Sequence, residues 1–135
     1  MNVNHCKRAL IAEDSPEVAK RLTELLSEVL EIEISGIAAD GAQALAMFRA
    51  LSPELVILDI GMPILNGVEV LKAIREENAN VEVIMFTNHS DQSVRELCMK
   101  RGANHFVDKA RGADELIEVL ERYVGAKRRP TSAAS

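Results

Sequence analysis

Five polar positions in this chain each follow a short apolar run. Glu13 and Asp14 close Ala9-Leu10-Ile11-Ala12, and Asp59 closes Leu55-Val56-Ile57-Leu58. Thr87 closes the run from Val81 to Phe86, and Lys109 lies just past Phe106-Val107. Carboxylates brought together repel one another and rise in pKa unless something offsets their charge. A small hard cation does so, and oxygen-only ligation suits Mg²⁺. A lysine and a hydroxyl beside that cation are left to bind an anion. A phosphoryl group fits, with an oxygen each for Mg²⁺, Lys109 and Thr87. Asp59, at the end of the most apolar run, is the natural carboxylate nucleophile.

That chemistry needs elements that bring the five positions together. Short apolar runs alternate with helical patterns along the chain. After the strand Ala9–Ala12, Ser15 can cap a helix whose first position is Pro16. Val18, Leu22, Leu25, Leu26, Val29 and Leu30 then repeat at helical spacing. Ile32, Ile34 and Ile37 alternate as an edge strand does, and Asp40-Gly41 opens a helix with Ala44, Leu45, Phe48 and Leu51 on one face. The run 55–58 is apolar on both faces, as a central parallel strand is. A loop from Ile60 to Asn66 leads to a helix with Val68, Leu71 and Ile74 inward. After the fourth strand, Ser90 can cap a helix carrying Val94, Leu97 and Cys98, which Gly102 can end. A short fifth strand, Phe106-Val107, precedes a last helix with Leu116, Ile117, Val119, Leu120, Tyr123 and Val124 inward. Five strand–helix units predict an α/β fold, a (βα)5 doubly wound parallel five-stranded sheet of flavodoxin-like order 2-1-3-4-5. Ligand chemistry in such a sheet sits outside the carboxyl ends of the strands, where all five polar positions fall.

The composition excludes other classes. The chain has 135 residues, enough for one core, with 47% hydrophobic and 27% charged residues as in ordinary globular proteins. Twenty-one acidic against 16 basic residues give a net charge of −5, which argues against a nucleic-acid partner. No apolar run approaches the roughly 18 residues of a membrane span, and no secretory signal opens the chain. Cys6 and Cys98 match no disulfide framework or zinc spacing and read as small apolar residues in a reducing cytosol. His5, His89 and His105 are dispersed and form no ligand set.

Singly, each polar position has an ordinary explanation as a helix-start acid, a turn residue, a cap or a solvated lysine. Jointly, they strongly resemble the receiver domain of two-component response regulators. Glu13-Asp14 matches the acidic pair after the first strand. Asp59-Ile60-Gly61-Met62-Pro63 followed by Asn66-Gly67 is similar to the phosphoacceptor and its loop. Thr87 matches the switch hydroxyl, Phe106 the switch aromatic and Lys109 the phosphoryl-binding lysine. The resemblance covers roughly residues 6 to 124. It implies an N-terminal extension over 1–5, a receiver domain over 6–125 and a flexible tail over 126–135, in a stand-alone cytoplasmic protein. It also implies a phosphohistidine donor, on a histidine kinase or histidine phosphotransfer protein, with the receiver catalysing the transfer so that acetyl phosphate also serves. The implied Mg²⁺ ligands are the Asp14 and Asp59 side chains and the Gly61 backbone carbonyl, with Glu13 acting through water. On phosphorylation Thr87 moves toward the phosphoryl and Phe106 turns inward. The face of helix 4, strand 5 and helix 5 reads out to an unidentified downstream protein. No nucleic-acid or membrane partner is implied.

Three departures from the family pattern stand out. Ala110 follows Lys109 where proline is usual. Receivers with that proline hold the bond cis, and a cis bond before a non-proline residue costs about 2.5–4 kcal/mol, so Lys109-Ala110 is expected trans. Asn88 stands where alanine or glycine is usual, and Gly61 offers no side chain toward the phosphoryl. With His89, these two positions are expected to ring the path of an attacking water and set the phosphoryl lifetime. His89 reads as an exposed loop residue of smaller effect. Gly61 also argues against a Mg²⁺-dependent phosphatase, which carries a second acid at that position. Glu13-Asp14 argues against a flavin-binding module, whose first loop is rich in Ser, Thr and Gly.

Overall fold

The computed structural model describes residues 6–128, with side chains over 6–125. Five strands, β1 (Lys7–Ala12), β2 (Ile32–Ala38), β3 (Leu55–Leu58), β4 (Glu82–Thr87) and β5 (His105–Asp108), form one parallel sheet in the order β2-β1-β3-β4-β5. The helices are α1 (Pro16–Leu26), α2 (Gly41–Leu51), α3 (Gly67–Glu77), α4 (Gln92–Lys100) and α5 (Asp114–Arg128), and a 3₁₀ turn spans Lys109–Arg111. The (βα)5 fold and the 2-1-3-4-5 order follow the sequence expectation.

The two-residue period of the central strand explains its composition. Val56 and Leu58 pack on one face with Ala44 and Phe48 of α2, Val70, Leu71 and Ile74 of α3, and Cys98 of α4. Leu55 and Ile57 pack on the other with Leu22 and Leu26 of α1 and Leu116, Leu120 and Val124 of α5. Helices on both faces leave no solvent side on β3, and all four of its residues are buried.

Local signals start the helices. Ser15 accepts the Val18 N–H and Pro16 occupies the first turn. Asp40 accepts the Gln43 N–H at 2.7 Å. Asn66 and Glu69 form a reciprocal capping box. Three expectations are corrected. The first helix stops at Leu26, and Leu30 is 83% exposed in the turn that follows. The N-cap of α4 is Asp91, without a side-chain cap bond, and Ser90 stands one residue before it. Of the α4 pattern only Cys98 is buried; Leu97 is exposed. Gly102 does follow the end of α4, at φ +108. The last helix continues to Arg128, past Gly125; His5 and the tail from Arg129 lie outside the described residues.

Tyr123, the single tyrosine, is buried beneath the sheet. Burial first, then the carboxylates of Glu54 and Glu82, push its hydroxyl up to about 12. An unfolded tyrosine ionises near 10. The unfolded chain therefore releases this proton first, so stability is unaffected below pH 10 and falls as pH rises through about 12. Tyrosinate absorbance should show a folded-state midpoint near 12; a midpoint near 10 with the fold intact would contradict the burial.

Candidate functional site

At the carboxyl end of β1, the Glu13 N–H continues the β1–β2 ladder to Ala38 O at 2.9 Å, which turns its side chain inward at 3% exposure. Glu13 Oε2 accepts the Ser15 N–H at 3.1 Å, and Oε1 accepts Lys109 Nζ at 2.7 Å. Asp59 follows β3, tied to β1 by its N–H to Ala12 O at 3.0 Å. Its Oδ1 accepts the Ile60 N–H at 2.7 Å and its Oδ2 accepts Lys109 Nζ at 3.1 Å. Asp14 is exposed beside them, and oxygens of Glu13, Asp14 and Asp59 lie within 4.8 Å of one another. Four of the expected residues are thus in one cluster.

Burial pushes the Glu13 carboxyl above the usual carboxylate range, against the Lys109 and Ser15 donors, and the Asp59 charge adds to the rise. Burial also opposes the charge on Lys109, but the Glu13 and Asp59 carboxylates outweigh it and hold the ammonium above the ordinary lysine range. The cluster fits a hard divalent cation. Its donors are all oxygen, and a positive group already stands against two of them.

The loop after Asp59 is pinned closely. Met62 and Gly67 N–H both donate to Ile60 O, at 2.9 and 2.8 Å, and Gly41 N–H donates to Pro63 O at 3.2 Å. A Cβ on Gly67 would overlap the Asp59 carbonyl oxygen, so only glycine lets α3 start this close to β3. Ile64, 74% exposed, is held at φ +73, an unusual conformation for a β-branched residue.

Thr87 is fully buried at the end of β4, and its Oγ1 accepts the His89 N–H at 3.1 Å. Asn88 and His89 are exposed. His89 nevertheless lies against Gly61, its Nε2 2.7 Å from where a Cβ on that glycine would be. The imidazole thus fills space left by the missing side chain, a contact between loops that neither local sequence announces. Phe106 differs from expectation. Its ring is already inward, at 5% exposure, with the Arg95 guanidinium 4.7 Å from the ring centroid. No cis peptide occurs among the described residues, so Lys109-Ala110 is trans.

The chain is similar to known proteins in sequence and in fold. The model of the response regulator receiver domain family matches residues 9–121. A protein-glutamate methylesterase/protein-glutamine glutaminase of Idiomarina loihiensis is 31% identical over 95% of the chain, which spans 35% of that relative's length. Chemotaxis protein CheY of Halobacterium salinarum is 34% identical over 76% of the chain and 84% of its own length. The CheX-CheY-BeF3-Mg²⁺ complex of Borrelia burgdorferi contains a chain superposing with a TM-score of 0.75 at 28% identity, over 84% of this chain and 89% of that one.

Without Lys109, Glu13 and Asp59 would face each other with no counter-charge. Lys109→Met should lower stability at neutral pH, in buffer free of divalent cations, by about 3 kcal/mol, the scale for a buried pair that loses one partner. The deficit should narrow on acidification, because the raised Glu13 carboxyl protonates more readily in the folded than in the unfolded chain. Urea denaturation at neutral and acidic pH measures both. A variant as stable as the parent at neutral pH would show that the pair carries no such weight.

Proposed function

The chain belongs to the response regulator receiver domain family, and we propose that it accepts a phosphoryl group on Asp59 from a phosphohistidine of a histidine kinase or histidine phosphotransfer protein. The observation that carries this reading is the placement of Lys109 Nζ 3.1 Å from Asp59 Oδ2 inside the carboxylate cluster. The lysine leaves the acidic site with a built-in partner for an anion.

In the transfer, an Asp59 carboxylate oxygen attacks phosphorus, the phosphorus–nitrogen bond breaks, and its electron pair stays on the donor imidazole. Lys109 binds a phosphoryl oxygen and offsets the charge that gathers there. The Thr87 hydroxyl accepts from its own loop and keeps its proton to donate to a second oxygen. Glu13, Asp14 and Asp59, with the Gly61 backbone carbonyl, would hold Mg²⁺. When bound, the ion neutralises the carboxylates and draws charge from the phosphoryl oxygens. The receiver itself promotes both transfer and hydrolysis, so acetyl phosphate also serves as donor.

The phosphoryl group carries about −1.5 to −2 charge and replaces the single carboxylate charge of Asp59, a net gain of about −0.5 to −1 next to Thr87. The change passes to α4, β5 and α5, with Phe106 beneath, and that face meets a downstream protein. The Borrelia relative, crystallised with CheX, BeF3 and Mg²⁺, supports a protein target and a phosphoryl-like ligand. No helix among the described residues is long and apolar enough to cross a membrane, which supports a cytoplasmic setting.

Incubation with acetyl phosphate and Mg²⁺ should add one phosphoryl mass, which chelation of the metal or Asp59→Asn abolishes. An undiminished gain in Asp59→Asn would refute the assignment.

We also propose that Gly61, Asn88 and His89 set how long the phosphoryl lasts. Gly61 offers no group to orient water, Asn88 crowds the approach, and His89 occupies the space above Gly61. Asn88→Ala should speed decay of purified phosphoprotein. Gly61→Asn should speed it more when His89→Ala clears the imidazole than it does alone. One side chain suffices, since a tenfold rate change needs only about 1.4 kcal/mol. Decay unchanged or slowed in Asn88→Ala would show that Asn88 does not crowd the phosphoryl.

A further inference from the structure

Asp108 has no part in the chemistry above, yet it stands between two groups that do. It is the last residue of β5, pairs with Thr87 across the β4–β5 ladder, and immediately precedes Lys109. We propose that Asp108 is a positioning residue that holds the Lys109 turn over Asp59 and ties to it the loop carrying Thr87. The proposal rests on the reading of Asp59 as phosphoryl acceptor.

Asp108 first restrains the turn itself. Lys109–Arg111 is a 3₁₀ turn capped by Asp108, whose Oδ1 accepts the Ala110 N–H at 2.8 Å. It is closed by the Gly112 N–H to Lys109 O at 3.1 Å, with Gly112 at φ +85. The N–H that Asp108 accepts exists because residue 110 is alanine; a proline there would have a fixed φ and no donor. A hydrogen bond donated by the Ala110 N–H to Asp108 therefore restrains this turn where a ring would otherwise do so. The outcome is visible in Lys109, whose side chain crosses the end of β4 to reach both Asp59 and Glu13.

Asp108 also reaches beyond the turn. Its ladder pairing with Thr87 sets the end of β4 beside the lysine turn. Ser90, three residues after Thr87, and the cations of Arg111 and Arg95 act on the same carboxylate. With the Ala110 and Ser90 bonds, these cations hold the carboxyl below the usual aspartate range. Arg95 also donates to Phe106 O at 3.4 Å and lies over the Phe106 ring. One aspartate thus stands where the lysine turn meets the end of β4, in the charge field of the arginine that covers Phe106. These interactions are solvent-accessible and individually weak. Their role is to restrict where Lys109 Nζ can go, and a misplaced group costs far more rate than the weak bonds that held it would suggest.

The test is the initial rate of labelling by acetyl phosphate with Mg²⁺, on the full chain, with folding checked by circular dichroism. Asp108→Ala should label about tenfold more slowly, the scale of one displaced donor to the phosphoryl. Asp108→Asn should recover most of the rate, because its amide oxygen still accepts from Ala110. In an Ala110→Pro background, which has no N–H to accept, Asp108→Ala should lose most of its effect, a non-additivity that general destabilisation would not produce. Labelling of Asp108→Ala at the parental rate would overturn the proposal, as would equal slowing by Asp108→Ala and Asp108→Asn. An Asp108→Ala effect undiminished beside Ala110→Pro, with all four chains folded by circular dichroism, would overturn it too. A parent chain that takes no phosphoryl at all would instead sink the acceptor reading of Asp59.

Discussion

One ammonium group, Lys109, balances two buried carboxylates, and the carboxyl edge of the sheet is organised around keeping it there. Glu13 follows β1, Asp59 follows β3 and Lys109 follows β5. In the order β2-β1-β3-β4-β5, the lysine must reach past β4 to meet both acids, which takes a long side chain on a restrained turn. Each group is costly alone: burial raises Glu13 and works against charge on Lys109. Together they hold an anionic acceptor in a place that water alone would not stabilise. The same balance prepares the site for chemistry. Under the proposed function, a bound cation would take over the acids and leave the lysine to the incoming anion.

Much of this was legible in the sequence because the burial is regular. A run such as Leu55–Leu58, apolar at every position, has one comfortable place, the middle of a sheet covered on both faces. Once β3 is central, parallel geometry brings every strand's carboxyl end to one edge, and Glu13, Asp14, Asp59, Thr87 and Lys109 fall there together. Ser15-Pro16 and Asp40-Gly41 announce their helices through a local bond that needs no tertiary partner.

What escaped the sequence depends on contacts between segments far apart in it. Leu30 matches the helical period but faces solvent, since the chain has already turned toward β2. Ser90 has the chemistry of a cap, yet α4 starts from Asp91 and Ser90 instead acts on Asp108, eighteen residues on. Phe106 is inward in the core with Met85 and Cys98, and Arg95 of α4 covers its ring. The glycine at 61 reads as a gap until the fold sets His89 against it. Two of the three departures from the family pattern thus have a neighbour that uses the changed position. Ala110 gives an N–H that Asp108 accepts, and Gly61 leaves room that an imidazole enters.

Everything above turns on Asp59 being the residue that becomes phosphorylated, and trapping the acyl phosphate decides it. Borohydride reduces an aspartyl phosphate to homoserine and leaves free carboxylates unchanged. Chain labelled with acetyl phosphate and Mg²⁺, reduced and digested, should carry homoserine at position 59, with Glu13, Asp14 and Asp108 intact. Homoserine at Asp14 or Asp108, or phosphate recovered on a serine or threonine, would contradict the assignment of Asp59.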